Sequence, residues 1–159
     1  MVTSLRAFAK SAQTECISYL PAAYVRRVSP DPRRWVGRRG EALAAELLER
    51  LGFTVLERNH RTRAGEIDLI AARDDTLVFC EVKALVSRRG GASAGPATPA
   101  EAVGRAKRIQ VRRLARDWLA LERERGPGRR WQTLRFDVVA IVLRPDGSVS
   151  SLDHLENAF

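Results

Sequence analysis

The chain has 159 residues, enough for one domain with a hydrophobic core and too few for two. Lysine and arginine total 28 against 19 acidic residues, and the resulting net charge of +9 favours an anionic partner, either nucleic acid or an acidic membrane surface. Two cysteines are too few for a disulfide scaffold and no apolar run reaches about 18 residues, so we expect a cytoplasmic protein without a membrane span.

Residues 1–32 differ in pattern from the rest of the chain. They contain few periodic apolar positions and end in the turn-like sequence Ser29-Pro30-Asp31-Pro32. Their own charge is nearly balanced, so most of the positive charge belongs to the residues that follow. We therefore expect an N-terminal extension over residues 1–32, poorly ordered or weakly helical, and one domain over residues 33–159. One hypothesis for the extension is that translation begins nearer Val28.

Four elements are predicted between residues 40 and 83. Leucines at helical spacing predict an amphipathic helix over residues 40–51, which Gly52 would end. A strand is predicted over residues 53–59. Two further strands are predicted over residues 65–72 and 76–83, separated by Asp74-Asp75.

The second half of the chain contains one more helix and two more strands. After a polar, glycine-rich loop, Thr98, Pro99 and Glu101 have the order of an N-cap, a first helical position and a capping-box residue. The helix is predicted over residues 98–125, and strands over 134–143 and 148–155. The apolar positions of that helix are Val103, Ile109, Leu114, Trp118 and Leu121. We expect an α/β domain with a mixed central β-sheet flanked by α-helices.

The turn at Asp74-Asp75 predicts the register of the strands on either side. With these two residues as the loop, Asp68 lies opposite Glu81. Glu66 then lies opposite Lys83, and a four-residue loop gives the same register. Side chains alternate, so one face carries Glu66, Asp68, Ile70, Phe79, Glu81 and Lys83. The other, wholly apolar and predicted to be core, carries Ile67, Leu69, Ala71, Val78, Cys80 and Val82.

The predicted opposition of Asp68 and Glu81 points to a metal ion. Two facing carboxylates repel by about 0.2–1 kcal/mol even in contact with water, whereas Mg²⁺ and Mn²⁺ prefer such hard oxygen ligands. Lys83 on the same face can pair with Glu66, activate a water molecule or hold a phosphate oxygen, as hydrolysis of a phosphodiester requires. The alternative is that these are solvated charges on the open face of an antiparallel strand pair.

Sequence stretches around this hairpin form a recognisable pattern over residues 35–159. They are Gly37-Arg38-Arg39-Gly40-Glu41, Gly52-Phe53, Asn59-His60-Arg61-Thr62-Arg63, Gly65-Glu66-Ile67-Asp68-Leu69-Ile70, Val78-Phe79-Cys80-Glu81-Val82-Lys83, Lys107, Arg135-Phe136-Asp137-Val138 and His154-Leu155-Glu156-Asn157-Ala158-Phe159. The pattern resembles the YraN-type family of uncharacterised bacterial proteins, which is assigned to the PD-(D/E)XK nuclease-like superfamily. It is also similar in layout to archaeal Holliday junction resolvases. GEIDLI followed by EVK at this spacing is a specific signal, whereas an isolated E-x-K would be weak.

The resemblance implies a restriction-endonuclease-like fold and names the residues of a catalytic site. Asp68 and Glu81 match the metal-binding acids of the superfamily, and Lys83 matches its catalytic lysine. Glu41 matches an acidic residue that the first helix contributes in resolvase-like members, which adds it to the catalytic and metal-binding set. The implied cofactor is Mg²⁺ or Mn²⁺.

The expected activity is that of a divalent-metal-dependent endonuclease that hydrolyses phosphodiester bonds of DNA, with branched DNA as one candidate substrate. Junction cleavage needs two sites, so a homodimer is a candidate assembly. The candidate nucleic-acid-binding residues are Arg61, Arg63, Arg88, Arg89 and Lys107. Two other interpretations remain open: a non-catalytic nucleic-acid-binding module that retains the nuclease fold, and a basic protein-interaction domain.

Two positions need separate comment. The family usually continues the EVK motif with Thr-Arg, where this chain has Ala84-Leu85. If that arginine contacts substrate, either Arg88 or Arg89 replaces it or the activity is reduced. Asp137 lies on a core-like strand and is expected to be a buried partner of an arginine or a backbone N–H rather than a metal ligand.

Overall fold

The computed structural model describes residues 2–4, 31–87, 103–126 and 130–159. In chain order, these form β1 (Val2–Ser4), α1 (Pro32–Arg50), β2 (Thr54–Thr62), β3 (Gly65–Arg73), β4 (Thr76–Val86), α2 (Arg105–Glu124), β5 (Thr133–Leu143) and β6 (Val149–Leu155). The strands make one sheet in the order β1-β6-β5-β4-β3-β2. Only β4 and β5 among these neighbours run parallel, which confirms an α/β architecture with a mixed sheet.

The two helices cover opposite faces of the sheet, because alternate residues of each strand belong to two different hydrophobic clusters. On one face, Leu47 and Leu48 of α1 pack against Leu69 of β3 and the apolar residues near it. On the other, Trp118 of α2 packs edge-on against Phe79 of β4, with ring centroids 5.9 Å apart. Within the described ranges, neither helix is long and apolar enough to cross a membrane.

Helix α1 begins eight residues earlier than the predicted start at residue 40. The Asp31 side chain caps it by accepting a hydrogen bond of 2.9 Å from the backbone N–H of Arg33, and Pro32 occupies its first turn. The sequence that looked like a turn is therefore a helix start. Of the proposed extension, residues 5–30 lie outside the described residues, while Val2–Ser4 pairs antiparallel with β6. The division into an extension and a domain stays a prediction.

Helix α2 is shorter than predicted, since it begins at Arg105 with Gly104 as its N-cap. The predicted cap at Thr98 lies outside the described residues, but Val103 and Gly104 are not helical, so a continuous helix from that cap is wrong. Leu114 and Trp118 are buried as predicted. The predicted core positions Ile109 and Leu121 are exposed instead.

All five strands predicted between residues 53 and 155 are present, with ends shifted by at most three residues. The simple alternation predicted for β3 is interrupted, however. Ile67 packs in the same cluster as Ile70, on the α2 face, rather than with Leu69 on the α1 face. The alternation of side chains between the two faces is therefore interrupted at Asp68, which lies between Ile67 and Leu69.

Candidate active site

Four elements meet around one cleft of about 440 Å³. Helix α1 approaches β4 from one side, and the first turn of α2 approaches β3 from the other. The residues that line the cleft are Gly37, Glu41, Glu66, Asp68, Glu81, Val82, Lys83, Ala84 and Lys107. The four residues predicted to be catalytic therefore share one cavity, although they come from three separate elements.

The β3–β4 hairpin has the predicted register, but its paired region ends one step before the acidic residues. The last paired residues are Leu69 and Cys80. Beyond them Asp68 Oδ2 accepts a hydrogen bond of 2.7 Å from the backbone N–H of Val82, which replaces a bond between the two backbones. Asp68 and Glu81 are thus close without forming the regular cross-strand pair that we predicted.

Glu81 is buried and contacts two lysines. Its Oε1 accepts a hydrogen bond of 2.7 Å from Lys83 Nζ. Its Oε2 lies 3.0 Å from Lys107 Nζ, but no described residue gives this oxygen a hydrogen bond of good geometry. Only 3% of Glu81 is exposed and Asp68 is also buried, so the interpretation as solvated surface charges is wrong for these two acids.

The surroundings of Asp68 oppose its negative charge. Burial, and after it the charge of Glu81, raises its pKa from 3.8 to about 6, against the lowering effects of the Val82 N–H and Lys107. Glu41 adds a smaller rise. At neutral pH a cation that binds beside this carboxylate, in addition to Lys107, would therefore stabilise the protein.

Glu41 enters the cleft because α1 lies very close to β4. At Gly40, a Cβ atom would stand 2.5 Å from the Cβ of Ala84, so only glycine permits this approach. The Glu41 Oε2 atom accepts a hydrogen bond of 2.9 Å from Asn59 Nδ2. Asn59 has a left-handed φ of 55°, a conformation that asparagine tolerates better than most residues. Sequence reasoning missed this role, although Asn59 belongs to the family-like stretch.

Of the three roles considered for Lys83, pairing with Glu66 is not the one observed. Lys83 pairs with Glu81 rather than Glu66, because β3 and β4 are no longer paired at that level. Glu66 instead forms an ion pair of 3.0 Å with Arg61 on β2. Lys107, predicted to contact nucleic acid, lies inside the cleft.

The other candidate nucleic-acid contacts lie differently. Arg61 is largely exposed and Arg63 is exposed, both at the β2–β3 turn. Arg88 and Arg89 lie outside the described residues. The suggestion that one of them replaces the family's arginine after the EVK motif stays a prediction.

Asp137 lies outside the cleft and has the structural role predicted for it. It is fully buried, and it accepts hydrogen bonds from Arg135 and from the backbone N–H of Asn157 while lying 2.8 Å from His154 Nε2. Burial alone would raise its pKa, but the hydrogen bonds with His154, Arg135 and Asn157 lower it overall. This network joins β5, β6 and the C-terminal segment.

The donor set in the cleft fits a hard divalent cation of the Mg²⁺ type. Carboxylate oxygens are the ligands such ions prefer, and Mg²⁺ commonly uses only one or two carboxylates together with waters and substrate phosphates. The buried Glu81 Oε2 without a directional hydrogen bond suits a cation. Among the described residues, no three His, Cys, Asp or Glu side chains are placed to hold a metal together, so Glu41 is not yet a third ligand in this arrangement.

The fold and the cleft describe an α/β protein with a buried acid pair and two lysines in one cavity. Sequence comparison supplies its family. A sequence model of the uncharacterised protein family UPF0102 matches residues 40–141, and the chain belongs to this family. It is the YraN-type family that the motifs resemble.

The similar proteins carry the family name without an activity. The chain is 45% identical over 124 residues to a UPF0102 protein of Rhodococcus jostii, which covers 78% of this chain and 95% of that protein. It is 44% identical over 129 residues to one of Anaeromyxobacter dehalogenans, covering 81% and 87%. A Dictyoglomus thermophilum relative is 32% identical over 124 residues, covering 78% and 96%.

Proposed function

We propose that this protein is a divalent-metal-dependent endonuclease with a restriction-endonuclease-like fold that hydrolyses phosphodiester bonds of DNA. One observation carries the proposal: the buried carboxylates of Asp68 and Glu81 share a cleft with the ammonium groups of Lys83 and Lys107. Burial of two acids side by side lowers the stability of the folded protein unless a bound cation offsets that cost. The pKa of Asp68 stays raised to about 6 although Lys107 lies near it, so the lysines do not remove this cost.

Asp68 and Glu81 would hold Mg²⁺ or Mn²⁺, and Glu41, which lines the same cleft, would be a third ligand. When bound, such an ion supplies positive charge for the phosphate and makes a bound water more acidic. Lys83 lies 2.7 Å from Glu81 and 38% of its side chain is exposed, so it can reach both this carboxylate and a molecule in the cleft. Its ammonium group would orient the attacking water or stabilise charge that develops on the phosphate.

DNA is the proposed substrate, with branched DNA as one candidate and a homodimer as the assembly that would cut a junction twice. The net charge of +9 favours a polyanion. Arg61 and Arg63, at the turn next to the cleft-lining Glu66, are proposed phosphate contacts.

The second candidate is a nucleic-acid-binding module that keeps the fold without cutting. It is supported by the two lysines that already balance Glu81.

Cleavage assays separate the two candidates. Purified protein would be incubated with duplex, single-stranded and four-way-junction DNA, in Mn²⁺ and in EDTA. We expect Mn²⁺-dependent cleavage that is lost in Glu81→Gln and Lys83→Met. Glu46→Gln, at an exposed glutamate of α1, is the matched control and should cut as wild type. Cleavage that survives Glu81→Ala would refute the site, and salt-dependent binding without cleavage of any substrate would favour the binding module.

A further inference from the structure

Lys107 is the one residue of α2 that lines the cleft among those the structure describes. Its ammonium group donates a hydrogen bond of 3.2 Å to the backbone carbonyl of Glu66 on β3 and lies 3.0 Å from Glu81 Oε2 on β4. It also favours the ionised form of Asp68. A single ammonium therefore touches both strands and balances both buried acids.

The two lysines hold Glu81 in different ways. Lys83 makes a hydrogen bond to Oε1 from the same strand, two residues away. Lys107 comes from a different element, and its contact with Oε2 has no hydrogen-bond geometry. Its own hydrogen bond is to the Glu66 carbonyl. Charge therefore holds Lys107 at Glu81, and a cation with a stronger charge can replace it at Oε2 without breaking an aligned hydrogen bond to that oxygen.

We propose that Lys107 is a resident counter-ion of the metal-free protein, and that a divalent metal gains Glu81 Oε2 only by displacing it. This inference rests on the metal site of the proposed function. A lysine and a divalent ion beside one carboxylate oxygen repel each other, so binding of the ion there favours departure of the ammonium. Once displaced, the Lys107 ammonium would face the cleft, where a phosphate could bind it.

The proposal predicts that loss of Lys107 has two opposite effects. Without its counter-ion the metal-free protein becomes less stable, because Glu81 then keeps only Lys83 and Asp68 loses the favourable charge of Lys107. Metal binding becomes tighter, because the competing ammonium is gone. If Lys107 had only a structural role, its loss would lower both the stability and the metal affinity. If it helped to hold the metal-bound state, its loss would also lower the affinity.

Two measurements on the full chain test this inference: calorimetric titration with MnCl₂ after removal of metals, and thermal unfolding in EDTA. We expect Lys107→Met to bind Mn²⁺ about tenfold more tightly than wild type, the scale of one charged contact, and to unfold at a lower temperature in EDTA. Lys107→Arg, which keeps the charge, should stay close to wild type. Lys107→Gln serves if the methionine variant does not fold.

Lys83→Met is the matched control, since it removes the same charge from the other oxygen of the same carboxylate. An equal gain in affinity in this control would show a general charge effect and overturn the displacement. Unchanged or weaker Mn²⁺ binding by folded Lys107→Met would overturn it as well. If neither wild type nor Lys107→Met binds Mn²⁺, the metal site itself is wrong, and the proposed function fails with it.

Discussion

Asp68 and Asp137 are both buried carboxylates, yet their surroundings shift their pKa values in opposite directions. Burial and the neighbouring Glu81 raise the pKa of Asp68 to about 6. Burial also acts against the charge of Asp137, but hydrogen bonds with His154, Arg135 and the Asn157 N–H outweigh it and lower the pKa. One acid is held at a cost to stability, and the other stabilises the fold.

Asp68→Asn should stabilise the metal-free protein at alkaline pH. The folded state holds the Asp68 proton more tightly than the unfolded chain, so ionisation lowers the stability of the wild type as the pH rises from about 4 through about 6. The variant escapes this loss, which amounts to about 3 kcal/mol above pH 7. Urea unfolding in EDTA at pH 4 and pH 8 measures it. The gain should vanish at pH 4, and a variant no more stable than wild type at pH 8 would contradict the prediction.

Asp137→Asn should have the opposite effect. The substitution leaves the charge of Arg135 without its closest carboxylate, and breaking a buried pair in this way costs about 3–5 kcal/mol. Because the pKa of Asp137 is lowered, its contribution is present above the unfolded pKa near 4 and is lost as the pH falls through the lower folded value. The deficit should therefore be largest near neutral pH. Equal stability of variant and wild type at pH 7 would disprove the role of this network.

At the level of secondary structure, α1 contains two glycines with different surroundings, and only one of them sets the position of the helix. At Gly40, a Cβ would meet Ala84 at 2.5 Å, whereas at Gly37 it would meet nothing within 4 Å. Both residues lie inside the same helix, so their helical propensities are equal and only the space around them differs.

Gly37→Ala and Gly40→Ala form a matched pair. Gly37→Ala should stabilise the protein by about 0.5–1 kcal/mol, the gain in helix propensity. Gly40→Ala should destabilise it by about 1–3 kcal/mol, because the helix must move away from β4. Chemical denaturation of the two variants decides, and equal effects would show that the close approach of α1 to β4 is not needed for stability.

The β3–β4 hairpin shows how far the sequence alone predicts the structure. A two-residue turn fixes pairing locally, so the register through Leu69 and Cys80 was correct. The end of the pairing was missed because it depends on side-chain contacts that the turn does not fix. Asp68 accepts a hydrogen bond from the Val82 N–H, and Lys107, which comes from α2, lies beside Glu81. Local pattern places Asp68, Glu81 and Lys83 in one cleft, but only the folded chain shows which lysine contacts which carboxylate.

The ends of the helices, like the end of the strand pairing, depend on contacts that the local sequence does not fix. The Asp31-Pro32 sequence suits either a turn or a helix start, and the packing of Trp35 and Val36 on the core decides for the helix. The place of Glu41 in the site came from family resemblance, since nothing in its own helix predicts that Asn59 would hold it.

Across the whole molecule, the excess of positive charge should make nucleic-acid binding strongly dependent on salt. Each phosphate contact releases counter-ions, so the logarithm of the affinity falls linearly with the logarithm of salt concentration. Arg63→Ala should reduce this slope by about one if the residue contacts a phosphate. Arg50→Ala, at the far end of α1 from the cleft, is the control and should leave the slope unchanged. Fluorescence anisotropy with labelled duplex at several KCl concentrations measures both; a slope unaffected by Arg63→Ala would remove this turn from the interface.

The parallel pairing of β4 with β5 also has a consequence for folding kinetics. The hairpin with Asp68 and Glu81 is local and can form within microseconds. Pairing of Thr76 with Thr133 must first close a long crossover, which is slow. Lys107 lies in that crossover. We therefore expect the acidic residues to come together before their counter-ion arrives, and closure of the crossover to complete the cleft.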